Sequence, residues 1–489
     1  MKKILILLLV PIISAKAMSV EIDNETYTDF ILASSSIHDN STIKFNCDDT
    51  SEHCQMTIAD VKDITIDING SKVTGIIGDF SGTITNTKET GSIGYLYLGD
   101  NQDSNNYEIS INKVPYINQV SIFSNMKTTF TSNIIIDSFN NYGKSLVDVY
   151  FINTFNNFKD ATLKIAKPEN GFQNVNDRTI PGSKEAVVNN YGGDLTIEDG
   201  YFNYVQNKCQ EDKAPQTVIN NGTFNSPKTL RNYCGTLKIA NGNFRGDVLL
   251  EQKKDTNKDV STIFHDGIYN FDIALFNVKD GDVTINNGTY KSNGKTGINN
   301  DSMDSFYDTN YSIYIGENGL LNFNKGTITL ERNSSNDGIL VNGTFNHGDK
   351  DKEINKEAEL LYLNDNKLVF DNGTFNFYNG SIFLDNKIDS LKSAIPNYVL
   401  FYEEKEDKQY QAYLKPLSDQ KEEKIICKRV NDKFYDKNGN VVSKSDYEKS
   451  CPEKVPDTGM IIPAVGIAIL AILYIFYTMS KEEDNLNKI

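Results

Sequence analysis

One phrase recurs along this chain with the same residue types in the same slots. GDLTIEDGYF (193–202), GTLKIANGNF (235–244), GDVTINNGTY (281–290), GLLNFNKGTI (319–328) and GTFNFYNGSI (373–382) all obey G-x-Φ-x-Φ-x-x-G-x-Φ, with Φ apolar. TVINNGTF (217–224), TIFHDGIY (262–269), ILVNGTF (339–345) and LVFDNGTF (368–375) obey it in part. A catalytic motif occurs once or twice, whereas a building unit occurs many times. The second glycines are Gly200, Gly222, Gly242, Gly267, Gly288, Gly326, Gly343, Gly373 and Gly380. Spacing among the first five runs from 20 residues (Gly222 to Gly242) to 25 (Gly242 to Gly267) and is looser afterwards, as inserted loops would make it.

Each slot has a physical reason. Alternation such as V-x-I makes a strand with one buried face. Asn-Gly or Asp-Gly ends it, because both residues tolerate positive φ and turn the chain sharply. The aromatic two residues on (Phe202, Phe224, Phe244, Tyr269, Tyr290) starts the next strand facing inward. Asn-Gly between apolar pairs also fits a two-residue β-hairpin, which would lead to a sandwich. Regular self-similarity favours stacked coils instead, each burying its neighbour's face at the strand spacing of about 4.8 Å. Aromatic side chains would then stack in a column, with asparagines laddering alongside. Roughly 17 coils of about 22 residues are expected.

Composition suits this reading. Hydrophobic residues are only 38%, Tyr and Phe number 26 each, and Trp is absent. A net charge of -17 without a basic stripe excludes binding of DNA or RNA through phosphates. An acidic surface keeps such a chain soluble. Cys47 and Cys54 are neighbours, as are Cys209 with Cys234 and Cys427 with Cys451, so three local disulfides are the natural expectation among fifteen pairings. No CxxC is present and the four His are scattered, so no zinc site and no cofactor are expected.

Both ends read as address labels. Residues 1–17 have Lys2 and Lys3, an apolar run Ile4 to Ile13, and a small-x-small site at Ala15-Lys16-Ala17, the pattern of a secretory signal peptide cleaved after Ala17. Met460 to Met479 is an uncharged stretch long enough for one transmembrane helix, followed by a tail, 480–489. Val455-Pro456-Asp457-Thr458-Gly459 stands just before it. This arrangement resembles the sortase sorting signal of Gram-positive surface proteins, whose pentapeptide is Leu-Pro-x-Thr-Gly. The resemblance implies cleavage after Thr458 and attachment of Thr458 to peptidoglycan. Val455 replaces the usual Leu, and the tail has two Lys against three acids where the family tail is basic. A retained single-pass anchor is the alternative. Either way the body faces outward, and its partners are the membrane, peptidoglycan and an unidentified glycan or protein ligand.

Asp63 to Gly75, DITIDINGSKVTG, resembles the opening coils of right-handed parallel β-helix proteins, the pectin-lyase-like fold. The resemblance implies an all-β parallel β-helix over 18–395, with TYTDFILASSSI (26–37) as a short capping helix. Residues 396–454 break the pattern and read as a charged spacer with a module closed by Cys427 and Cys451, in which KNGN turns between two short strands. A disordered spacer is the alternative there.

That fold hosts adhesins, stalks, lyases and hydrolases alike. The hydrolases, by resemblance, carry Asn-Thr-Asp, Asp-Asp, Gly-His-Gly and Arg-Ile-Lys together. Here Asp48-Asp49 stands without the others, and His347-Gly348-Asp349 lacks the first Gly. The lyases use an Arg or Lys base, and Arg231, Arg245 and Arg332 read as turn or loop residues. Asp280 with Asp282, and Glu198 with Asp199, read as solvated turn acids rather than a glycosidase pair. The Asn-Gly-Thr and Asn-Gly-Ser sequons coincide with the repeat turn and read as turn chemistry. No catalytic residue is assigned. The expected function is an adhesin or surface structural protein, the alternative a polysaccharide-degrading enzyme. An enzyme would need three carboxylates, or carboxylates with Arg or Lys, converging in one groove.

Overall fold

A computed structural model describes residues 18–48, 53–99, 106–123, 125–165, 187–294, 311–331, 338–370, 372–406 and 408–417, with 428–430, 433–435, 441–444 and 447 beyond. Ala15 and Ala17, Cys427 and Cys451, the Val455–Gly459 motif, the apolar stretch 460–479 and the tail all lie outside the described residues. Among the described residues no helix is long and apolar enough to cross a membrane.

The chain is all-β with mostly parallel pairing. One inward column runs from rung to rung without a break: Ile43, Ile66, Ile84, Ile111, Phe130, Val147, Ile165, Ile197, Ile219, Ile239, Phe264, Ile285, Phe323, His347 and Phe377. All fifteen are buried. Each rung buries alternate residues, as in DVTI, where Val283 and Ile285 point in and Asp282 is exposed. A fully buried side chain of this size contributes about 1.5–3 kcal/mol, and in-register stacking lets every rung bury it on its neighbour. The separation between rungs ranges from 17 residues (Phe130 to Val147) to 38 (Ile285 to Phe323), so the expected coil of about 22 is an average over unequal loops.

A second ladder starts after the Asn-Gly corners. Phe202, Phe224, Phe244, Tyr269 and Tyr290 pair in register and continue into Ile328, Leu361 and Ile382. Successive ring centroids are 5.3, 4.5, 5.0 and 4.4 Å apart, and the rings stack with planes within 24° of parallel. The strands on either side of such a corner, as at Gly222, pair in parallel with strands of other coils and not with each other, so the hairpin alternative falls.

A third ladder closes each turn, with Met56, Ile76, Leu96, Val120, Phe139 and Phe155 leading into Val188, Val205, Leu230, Leu250 and Phe276. Two residues on, its inward column turns polar. Asn141, Asn157, Asn190, Asn207, Asn232 and Gln252 occupy six consecutive rungs and are fully buried. Apart from Asn232 Oδ1, which has no partner, they are bonded to one another, to neighbouring hydroxyls and to backbone carbonyls. Asn141 Nδ2 donates to Asn157 Oδ1 (2.8 Å) and Asn157 Nδ2 to Asn190 Oδ1 (3.1 Å) and Asp194 O (3.1 Å). Buried amides are tolerated only when bonded in this way.

Among the described residues, antiparallel strand pairing is confined to the ends, apart from one isolated bridge between Gln210 and Lys213. Ser19–Ile22 pairs antiparallel with Glu25–Tyr27 and Thr42–Asn46. The expected short helix is present as Phe30–Ser35, N-capped by Asp29, with Phe30 packed on Phe45. At the other end, Tyr410 to Tyr413 pairs antiparallel with Ser381–Leu384, so Leu400–Leu414, within the stretch read as charged spacer, belongs to the first compact unit. A second unit takes Asn397–Val399 and Lys415–Ile489. There Lys428–Val430, Lys433–Tyr435 and Val441–Val442 form a small antiparallel sheet, with the last two strands flanking the stretch that contains KNGN.

Candidate functional site

Of the nine corner glycines, Gly200, Gly222, Gly242, Gly267, Gly288, Gly326 and Gly380 have positive φ. Gly343 and Gly373 do not. Their need for glycine is close approach, since an added Cβ would lie 2.3 Å from Gly316 O and 2.4 Å from Val341 O respectively. At Gly242 both reasons act. Its φ is +148°, and a Cβ would lie 2.5 Å from the Phe244 ring, which folds back over it. Glycine and the aromatic two residues on are thus one packing unit. Cys47–Cys54 and Cys209–Cys234 are disulfide-bonded as expected, with Cα separations of 6.3 and 5.4 Å. The second ties the adjacent rungs that carry Asn207 and Asn232.

Function on such a scaffold has to reside in outward side chains. Among the described residues, one concavity is a groove of about 570 Å³ across the outer face of the first ladder, within the size range of ligand sites. One column of its lining is Thr65, Thr83, Ser110 and Thr129, in register on successive strands. Asp63, Ser81, Glu108 and Lys127 line it beside them. The local cause is a disturbed strand. Register shifts between Ala59 and Val61 and again between Val61 and Ile64, and Asp60 and Asp63 take left-handed φ of 53° and 56°. Gly82 then lets the backbone close in, since a Cβ there would lie 2.0 Å from Ile64 O. No sequence motif announced this groove.

Its chemistry is polar and open. Lys127 Nζ bridges Glu108 Oε1 at 2.8 Å, but both side chains are more than half exposed, so the pair is screened and contributes little to stability. Two carboxylates and an ammonium in one groove meet the composition set for an enzyme. They lack the enclosed, water-poor setting that makes charged groups effective in catalysis.

The arginines correct the sequence reading. Arg231 lies in the strand Thr223–Asn232 and Arg245 in Asn243–Gln252, not in turns, because Leu230 and Phe244 alternate with them as inward residues. Arg332 lies outside the described residues. Arg231 stacks on Tyr204, 4.2 Å from the ring centroid. On the neighbouring rung Glu251 is buried and paired with Lys228 at 3.4 Å, the compensation a buried charge needs. Burial first, then Glu251, pushes the Tyr233 hydroxyl well above its ordinary range. Asp280 is also within a strand, Ile268–Ile285, as is Asp282, where Asp280 accepts from Asn318 Nδ2 and Lys254 N. Glu198 is held low by hydrogen bonding to Lys164 and Asn220 and sits at a corner with Asp199. None of these acids forms a free catalytic pair.

Two buried titratable groups occur near the last coils. His347, the one polar member of the fifteen-residue column, donates from Nδ1 to Asn379 O (2.8 Å), while Nε2 has no partner. Burial lowers its pKa to about 4. Glu359, 2% exposed, has an Oε2 with no partner. Burial first, then Asp349, raises its carboxyl to about 8 against the pull of Lys325. Among the described residues no three His, Cys, Asp or Glu converge as a metal cluster. No protein-family model, curated protein or solved structure matches the chain.

Proposed function

We propose that this chain is an extracellular binding scaffold: a right-handed parallel β-helix of pectin-lyase-like type, displayed from a Gram-positive-type surface and holding a glycan or matrix ligand. The observation that carries the reading is the unbroken register of the first ladder. It repeats outward Thr and Ser side chains at the strand spacing of about 4.8 Å, and the groove at Thr65, Thr83, Ser110 and Thr129 sets four of them along one concave strip. Hydroxyl rows of that kind suit a polyhydroxylated chain lying across the rungs, with Lys127, Asp63 and Glu108 selecting among charged ones. Display itself rests on the sequence of residues 1–17 and 455–489.

Binding arrays with residues 18–417 test the reading. The end point matters, because stopping at 395 would remove the segment that pairs with Ser381–Leu384. Thr83→Val with Ser110→Val should abolish retention of the bound ligand while the melting temperature stays unchanged; retention without loss in that variant would remove the groove from the account. For display, a wall-digest peptide ending at Thr458 and linked to cross-bridge residues is expected. Recovery of intact 460–489 from mature protein would mean a retained anchor instead.

The enzyme reading has one observation in its favour, the convergence of Asp63, Glu108 and Lys127 on one groove. Release of reducing ends from pectin, alginate or host glycans, lost in Glu108→Gln, would establish it in place of the scaffold.

A further inference from the structure

Glu359 opens the strand Glu359–Tyr362 and leads out of a loop, 348–358, whose acids alternate as Asp349, Asp351 and Glu353. Leaving its Oε2 buried without a donor is costly, and more so when the carboxyl is charged. The loop is pinned over the same spot. Asn379 Oδ1 accepts from Asn355 N (2.7 Å), Asn379 Nδ2 donates to Glu353 O (2.9 Å), and Ser381 Oγ donates to Lys356 O (2.6 Å). Between Asn379 and Ser381, Gly380 leaves room for the Glu359 side chain, since a Cβ there would lie 2.7 Å from Glu359 Cβ and 2.9 Å from Oε2. Asp349 is close enough for its charge to act on Glu359, and Lys325 acts in the opposite sense. An unsatisfied, enclosed carboxylate oxygen thus lies beneath a fixed acidic loop that carries a second carboxylate.

We propose that Glu359 and Asp349 hold one calcium ion, with loop carbonyls and water completing the shell. Oxygen donors in irregular number suit Ca²⁺, which accepts 6–8 ligands in flexible geometry, better than Mg²⁺, which demands a regular octahedron. Only two carboxylates contribute and Lys325 opposes the cation, so affinity falls in the weak class of about 10⁻⁴–10⁻³ M typical of extracellular modules. The ion ties the loop to the Glu359 strand and so fastens the last coils. The site does not depend on the ligand groove or on surface display.

The test uses the full chain, stripped with EDTA, and follows thermal unfolding with CaCl₂ or MgCl₂ at concentrations above about 1 mM. CaCl₂ should raise the midpoint by about 2 °C or more, MgCl₂ by less. Glu359→Gln keeps the shape, removes the charge and should abolish the calcium shift. Equilibrium dialysis with ⁴⁵Ca should count one ion fewer in that variant than in the wild type. An equal shift and an equal ion count in both proteins would overturn the proposal, as would no shift in the wild type. Should Glu359→Gln not fold, Asp349→Asn, at a half-buried loop position, carries the same two measurements.

Discussion

Coils up to Ile165 and coils from Val187 onward share one inward column but turn their corners differently. In the earlier region a turn carries only the first and third ladders, on one long strand as in Met126–Asn141 and Lys144–Asn157, or on two as in Ser92–Leu98 and Tyr107–Asn112. In the later region a third strand follows the corners at Gly200, Gly222, Gly242, Gly267 and Gly288 and brings the aromatic ladder with it. The difference teaches that continuity of the column, not the corner, defines the stack. Corners vary as long as the next rung returns in register.

The largest expected effect lies in the aromatic ladder. Phe244→Ala empties a slot between two stacked rings and should destabilise by about 3–5 kcal/mol, read as a shift in the urea midpoint. Ile111→Ala in the earlier region should cost less, because the side chain removed is smaller and leaves a smaller void; equal losses would erase the contrast between regions.

His347 sharpens the column itself. Its folded pKa of about 4 lies below the unfolded value of 6.5, so between these values the unfolded chain takes up a proton that the native one does not. Stability should therefore fall as pH drops from 6.5 to 4, by at most about 3 kcal/mol. His347→Phe, flanked by Phe323 and Phe377, should flatten that slope in pH-dependent unfolding. An unchanged slope would place the acid sensitivity elsewhere.

Gly242→Ala should cost about 2 kcal/mol through strained φ and the Phe244 clash. Pairing it with Phe244→Leu should recover part of that loss, a coupling that a double-mutant cycle measures. Asn157→Ala, which leaves Asn141 Nδ2 short of one acceptor and Asp194 O short of one donor, should cost about 1–3 kcal/mol in the same midpoint assay.

The later region was legible because Gly, Asn and an aromatic occupy fixed slots for one packing reason, the ring folding over the glycine. The earlier region has no such coupled pair at its corners, so Ile66, Ile84 and Ile111 show alternation without a common phrase. A second signal was present and went unread. FNNY (139–142), FNNF (155–158), VNNY (188–191) and LRNY (230–233) repeat an apolar residue, two mainly amide positions and an aromatic. Those phrases mark the third ladder, and their second amides are Asn141, Asn157, Asn190 and Asn232 of the buried amide column. The groove was invisible in sequence because it arises from register shifts around Val61, which depend on partner strands. Glu359 and Asp349 were likewise unreadable together, since a ten-residue separation says nothing of burial.

The central claim is that successive coils pair strand on strand in parallel register. Val218 and Lys238 face outward as partners on adjacent rungs, and Thr196 lies one rung before Val218. Cysteines at 218 and 238 should form a disulfide on mild oxidation, since one strand spacing of about 4.8 Å falls within disulfide reach. Cysteines at 196 and 238, two spacings apart, should not. Peptide mapping that finds the 218–238 link in folded, monomeric protein is the predicted result; a pair at 218 and 238 that stays reduced while 196 and 238 join would contradict the stack.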